Sequence, residues 1–143
     1  MRLITIQLGE FQVSTDTDAV LATDSLGSCI AVTIYDPDAQ VGGLLHAQRS
    51  EICGDPGVSK LIDEAYQRGG KKDRLIVTIT AAGQPAGCKK NYLAIRKSLW
   101  KLGVILQRET MGGSADDSVR LEVATGRCWV HELDKIWHGL ILT

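Results

Sequence analysis

The sequence predicts an α+β fold built on a mixed sheet, and three observations carry that prediction. Short β-branched runs dominate both ends of the chain and are separated by Gly, Pro and Asp turn signals. Only two stretches repeat apolar residues at helical spacing. The resulting order, β-β-β-β-α-β-α-β-β-β, lacks the regular alternation of a doubly wound parallel sheet.

Residues 3–8 and 11–14 read as opening β runs separated by Gly9-Glu10, and 19–23 as the next. Asp24-Ser25-Leu26-Gly27-Ser28 is turn chemistry. Residues 30–35 form a strand stopped by Asp36-Pro37-Asp38, because proline supplies no ladder donor. Residues 41–47 read as the returning arm of a hairpin, which carries His46 back toward Cys29. Asp55-Pro56 opens a helix, with Val58, Leu61, Ile62, Ala65 and Tyr66 on one face and Gly69-Gly70 at its stop. Residues 74–80 read as a strand and 82–87 as a loop. A second helix is expected over 91–102, with Tyr92, Ile95, Leu99 and Leu102 inward and Gly103 closing it. Strands follow at 104–110, 118–124 and 127–133, the last two joined by a Thr125-Gly126 turn. The segment 135–143 is expected to dock on the body or on a partner.

At 143 residues the chain predicts one domain, 1–143. Sixteen basic and 17 acidic side chains give a net charge of -1, so no global field draws nucleic acid. The N-terminus lacks an apolar signal core and no stretch approaches a membrane span, so a cytoplasmic protein without membrane insertion is expected. The four cysteines occur without a CxxC pair, which disfavours zinc; reduced thiols are expected.

Chemistry concentrates in the hairpin. A thiol near its free pKa of about 8.5 is mostly protonated at neutral pH and needs a base to become a nucleophile. Cys29 and His46 lie at the same end of the expected hairpin, and Thr23, ending the strand before it, offers a hydroxyl to the imidazole. Gly27 and Ser28 are small residues whose amides suit an oxyanion. A cysteine and a histidine sharing a hairpin are also ordinary core residues, so this spacing alone leaves packing open. Cys53, Cys88 and Cys128 read as structural, His131 as a surface or packing residue, and Trp100 and Trp129 as core before partner anchors.

The stretch Thr23, Leu26-Gly27-Ser28-Cys29, Asp36-Pro37, Gly42 and His46 resembles the signature of the CheD family of chemoreceptor glutamine deamidases. Gly9-Glu10, the helix before Gly103, Gly112-Gly113 and the Thr125-Gly126 turn extend the resemblance over nearly the whole chain. It implies a β-sandwich with flanking helices, similar to the catalytic domain of cytotoxic necrotizing factor toxins. It further implies hydrolysis of protein glutamine side chains to glutamate and ammonia. Cys29 would be the nucleophile, His46 the base and acid, and Thr23 the group orienting His46. No metal or organic cofactor is implied. The implied partners are chemoreceptor cytoplasmic helices and a CheC-type phosphatase.

The chain departs from the family's pattern in three segments, 47–57, 81–90 and 114–117. In the last of these Asp116-Asp117 stand where the family commonly has an arginine. These departures motivate an alternative, a regulatory module that keeps the site but binds a partner such as CheC. A weaker third reading is an amidase acting on small molecules.

Overall fold

The computed structural model describes residues 2–24, 30–47, 55–82, 85–113, 118–131 and 138–141. The described chain runs β1 (Arg2–Thr5), β2 (Phe11–Ser14), β3 (Ala19–Thr23), β4 (Ile30–Asp36), β5 (Val41–Ala47), α1 (Asp55–Gln67) and β6 (Ile76–Ala82). It continues through α2 (Pro85–Leu102), β7 (Ile105–Gly113), β8 (Ser118–Glu122), β9 (Arg127–His131) and β10 (His138–Ile141). Two five-stranded sheets result, ordered β1-β3-β8-β9-β10 and β2-β5-β4-β6-β7. Each mixes one parallel pair, β1 with β3 or β6 with β7, into an otherwise antiparallel ladder.

Alternation along the strands sorts the apolar side chains into two cores. Between the sheets, Leu21, Leu121 and Val130 meet Ala31, Tyr35 and Leu44. On the other face of the second sheet, Val32, Ile34, Leu45 and Ile79 pack against Leu61 and Ile62 of α1 and Ile95 and Leu99 of α2. The molecule is therefore layered sheet, sheet, helices, with β4 and β5 buried along their whole length. This is the α+β architecture the sequence predicts.

The Gly42-Gly43 pair lets the layers approach closely on both faces of β5. A Cβ on Gly42 would stand 3.3 Å from Leu121 Cδ2 in β8 and 3.3 Å from Val123 Cγ2 just beyond it. One on Gly43 would stand 2.9 Å from Ile34 Cγ1 and 3.0 Å from Leu61 Cδ1. A side chain at Gly43 would therefore require Ile34 of β4 and Leu61 of α1 to shift.

Asp36 fixes the β4–β5 turn. Its fully buried carboxylate accepts from the amides of Asp38 (2.9 Å), Ala39 (3.1 Å) and Lys71 (2.9 Å), and from the Arg74 guanidinium (2.9 Å). One side chain thus ties the hairpin to the connection between α1 and β6. Burial would raise this carboxyl, but the Arg74 bond and the three amides outweigh it and hold it below the usual range.

The structure corrects three details of the sequence reading and adds one. The first opening run, expected over 3–8, is a strand only over Arg2–Thr5, and it joins one sheet while β2 joins the other. α2 begins at Pro85 rather than 91, because proline is well placed in a first helical turn, where no amide partner is needed. Residues 138–141 of the terminal segment, for which docking was expected, form a strand, β10, paired antiparallel with β9. Trp100 is 80% exposed instead of core, since Tyr92, Ile95 and Leu99 already fill α2's inner face.

Candidate active site

His46 occupies the penultimate position of β5, and the strand's alternation turns it toward the first sheet rather than the helices. It is only 5% exposed. Its main chain is gripped on both sides: the His46 amide donates to the Glu10 carbonyl at 3.0 Å, and the Gly9 amide donates to the His46 carbonyl at 2.8 Å. Gly9 reaches that position with φ at 82°, a left-handed conformation that favours glycine. The neighbouring Glu10 side chain accepts from the Gln7 amide at 2.9 Å, closing the corner between β1 and β2.

The ring meets Thr23, the last residue of β3, across the gap between the sheets. Thr23 Oγ1 lies 2.7 Å from His46 Nδ1 and 2.8 Å from the Ile6 carbonyl oxygen. These two contacts settle the proton count. A carbonyl can only accept, so the hydroxyl proton goes to Ile6 and Thr23 accepts from Nδ1–H. The neutral ring then carries its free lone pair on Nε2. That atom is buried and has no hydrogen-bond partner among the described residues. Burial also pushes the His46 pKa below its ordinary 6.5, so the ring is uncharged at neutral pH. A buried imidazole with an unused, correctly tautomerised nitrogen is a proton acceptor held in waiting.

Opposite His46 in the ladder stands Ala31; Ile30 pairs with Ala47 at the next step. Of the residues singled out in the sequence, the structure brings Thr23 and His46 together. Cys29, Gly27 and Ser28 lie outside the described residues, as does Cys53, and Cys88 and His131 are described in backbone only. Cys128 is buried between the sheets, its Sγ 3.8 Å from Thr33 Oγ1, which also bonds the Thr78 hydroxyl. It belongs to the packing. Among the described residues no group of three or more His, Cys, Asp or Glu is placed to hold a metal ion.

Two contributors escape sequence reasoning. The Ile6 carbonyl, which sets the Thr23 hydroxyl, is a backbone group that no residue type advertises. The grip of Gly9 and Glu10 on His46 had a partial signal in the Gly-Glu pair, which read as a separator and as part of the family resemblance but not as a holder of His46.

The two-sheet α+β fold with helices on one outer face places the chain in a class of known architecture. It is similar to the crystal structure of Bacillus licheniformis hypothetical protein YfiH, with a TM-score of 0.58 at 16% identity over 74% of this chain. The match spans about half of that longer chain, 51%. Neisseria meningitidis protein NMB0706, of family DUF152, gives a TM-score of 0.54 at 11% identity over 80% of this chain and 64% of its own. At such identities the likeness is one of fold.

Sequence relatives narrow the class. The family model for CheD chemotactic sensory transduction matches residues 37–132, a span that includes His46. A protein of Solibacter usitatus named probable chemoreceptor glutamine deamidase CheD is 36% identical over 94% of this chain and 92% of its own length. The chemoreceptor glutamine deamidase CheD of Thermotoga maritima is 30% identical over 90% of each chain. The chain belongs to the CheD family. No described helix is long and apolar enough to cross a membrane.

Proposed function

We propose that the protein is a cysteine-dependent protein-glutamine deamidase acting on chemoreceptors in the cytoplasm, with Cys29 as nucleophile. The observation that carries this reading is the Ile6–Thr23–His46 hydrogen-bond chain, which ends on an unpartnered Nε2. Such a nitrogen needs an acidic proton nearby. Cys29 directly precedes Ile30, the first residue of β4, and Ala31 next along is the cross-strand partner of His46. The names of the relatives supply the substrate class.

In this mechanism Nε2 takes the thiol proton and the thiolate attacks the carboxamide carbon. The resulting oxyanion is held by amides at Gly27, Ser28 or Cys29. Nε2–H then protonates the departing nitrogen, which leaves as ammonia, and a thioester remains on Cys29. Nε2 next removes a proton from water, and hydroxide addition releases glutamate and restores the thiol. Every proton passes through one nitrogen, which is why the Nδ1–H must be pinned elsewhere. A CheC-type phosphatase is the regulatory partner this reading carries with it.

The test is ammonia release from receptor cytoplasmic fragments, scored also by the one-dalton mass gain of the modified glutamine. Cys29→Ala should abolish both while circular dichroism stays unchanged. Full activity in that variant would remove the mechanism. Brief iodoacetamide exposure separates the enzyme from a regulatory module: Cys29 should label ahead of the other cysteines, and slow, pH-insensitive labelling would favour the module.

A further inference from the structure

The helix α2 presents two faces of opposite fate. Tyr92, Ile95 and Leu99 are buried against the second sheet. On the outer side Leu93 and Trp100 are 53% and 80% exposed, seven residues and therefore about 10.5 Å apart along one stripe. Arg96 and Lys97 lie between them on the same stripe and are exposed, as is Lys101 at its end. Tryptophan is rarely left this open, and it is enriched where proteins anchor partners.

The charge of the helix is as unbalanced as its exposure. In PAGCKKNYLAIRKSLWKL there are five basic residues and no acidic one, in a chain whose totals nearly cancel. Helix stability does not account for this. The macrodipole favours acids in the first turn, where α2 has none, and rewards cations only near the last, where Lys101 sits. Helix α1, by contrast, mixes Lys60 with Asp63 and Glu64.

We propose that the outer face of α2 is a docking surface for an acidic amphipathic helix of a protein partner. Leu93 and Trp100 would seat two apolar side chains about two turns apart on the partner, while its carboxylates meet Lys97 and Lys101. A second copy of this chain does not fit, because a two-fold contact through this stripe would press like charges together. A bilayer fits poorly, since the broad apolar face of α2 is spent on the core and two separated side chains remain. The surface lies on the opposite side of the second sheet from His46, so docking and the chemistry at His46 occupy separate places. The inference does not depend on the deamidase reading.

The test uses the full chain and a fluorescent peptide of about 20 residues, helical, with leucines along one face and glutamates beside them. Fluorescence anisotropy should show saturable, salt-sensitive binding, and blue-shifted tryptophan emission that Trp100→Phe removes. Trp100→Ala and the pair Lys97→Glu, Lys101→Glu should each weaken binding by about tenfold or more. Both should leave circular dichroism and Cys29 alkylation unchanged, and His46→Ala should leave peptide binding unchanged. Equal binding of a lysine-for-glutamate peptide would overturn the proposal, as would wild-type affinity in the α2 variants. So would preferential capture by phosphatidylserine vesicles or a single-stranded DNA oligonucleotide, which would assign the face to another class of partner.

Discussion

Thr23 and His46 sit 23 residues apart in sequence, on different sheets, with Oγ1 and Nδ1 2.7 Å apart. The same hydroxyl reaches 2.8 Å to the Ile6 carbonyl. The threonine therefore works as a one-way relay of hydrogen-bond direction. Its proton is committed outward, and only its lone pairs remain for the imidazole.

The first expectation tests that direction. Thr23→Val keeps the shape but leaves Nδ1–H and the Ile6 carbonyl unpaired, freeing the ring to tautomerise or turn. Ammonia release and Cys29 alkylation should fall roughly tenfold to a hundredfold, by analogy with other groups that orient a reacting imidazole. Thr23→Ser preserves both bonds and should recover most of the rate. Equal losses in the two variants would assign Thr23 to packing alone.

A second expectation concerns pH. Burial depresses the His46 pKa, so the folded ring stays neutral to lower pH than a free histidine. Alkylation at Cys29 should lose its His46-dependent component only below about pH 6.5. The stability consequence has the same sign: as pH falls past 6.5 the unfolded ring binds a proton that the folded ring resists, so folding weakens. His46→Asn should flatten that part of the urea-denaturation profile.

Gly9 offers a third. Alanine at φ 82° costs about 1–2 kcal/mol of backbone strain, and the amide it distorts holds the His46 carbonyl. Gly9→Ala should therefore lower stability modestly and reduce activity more than a comparably destabilising core change such as Ile79→Val. A rate loss no greater than that control would detach Gly9 from the site.

The Asp36 cluster predicts a purely structural effect. Asp36→Asn keeps the size but loses the charge that faces Arg74, and should destabilise by about 2–3 kcal/mol with the thiol chemistry intact. Because the folded carboxyl titrates below its unfolded value, its contribution is complete above about pH 4 and is lost on further acidification. Acid titration of wild type against the variant should converge at low pH.

Much of this was legible in the residues. Asp36-Pro37 marked the hairpin turn and Gly42-Gly43 the return of β5, which together bring His46 opposite Ala31. Apolar spacing assigned the inner faces of both helices, because burial leaves a 3.6-residue signature. The start of α2 was not legible, since Gly87 and the Lys89-Lys90 pair resemble loop chemistry once propensity is weighed without tertiary contacts. Trp100 misled for a different reason: it is bulky and apolar, yet one residue beyond Leu99 turns it 100° away from the core. The Ile6 carbonyl and the Gly9 amide leave no sequence mark, because all residues share a carbonyl and nearly all an amide.

The strand order has a bearing on how the protein comes into being. β3, which ends in Thr23, is flanked by β1 on one side and by β8 on the other, with Leu21 opposite Leu121. A chain emerging from the ribosome completes the β4–β5 hairpin early but must wait for the residues near 120 before β3 is enclosed. Contacts of such long sequence separation form late. Under the proposed mechanism the imidazole would thus be steered into its working tautomer only near the end of synthesis, and a half-made chain would carry Cys29 without its base.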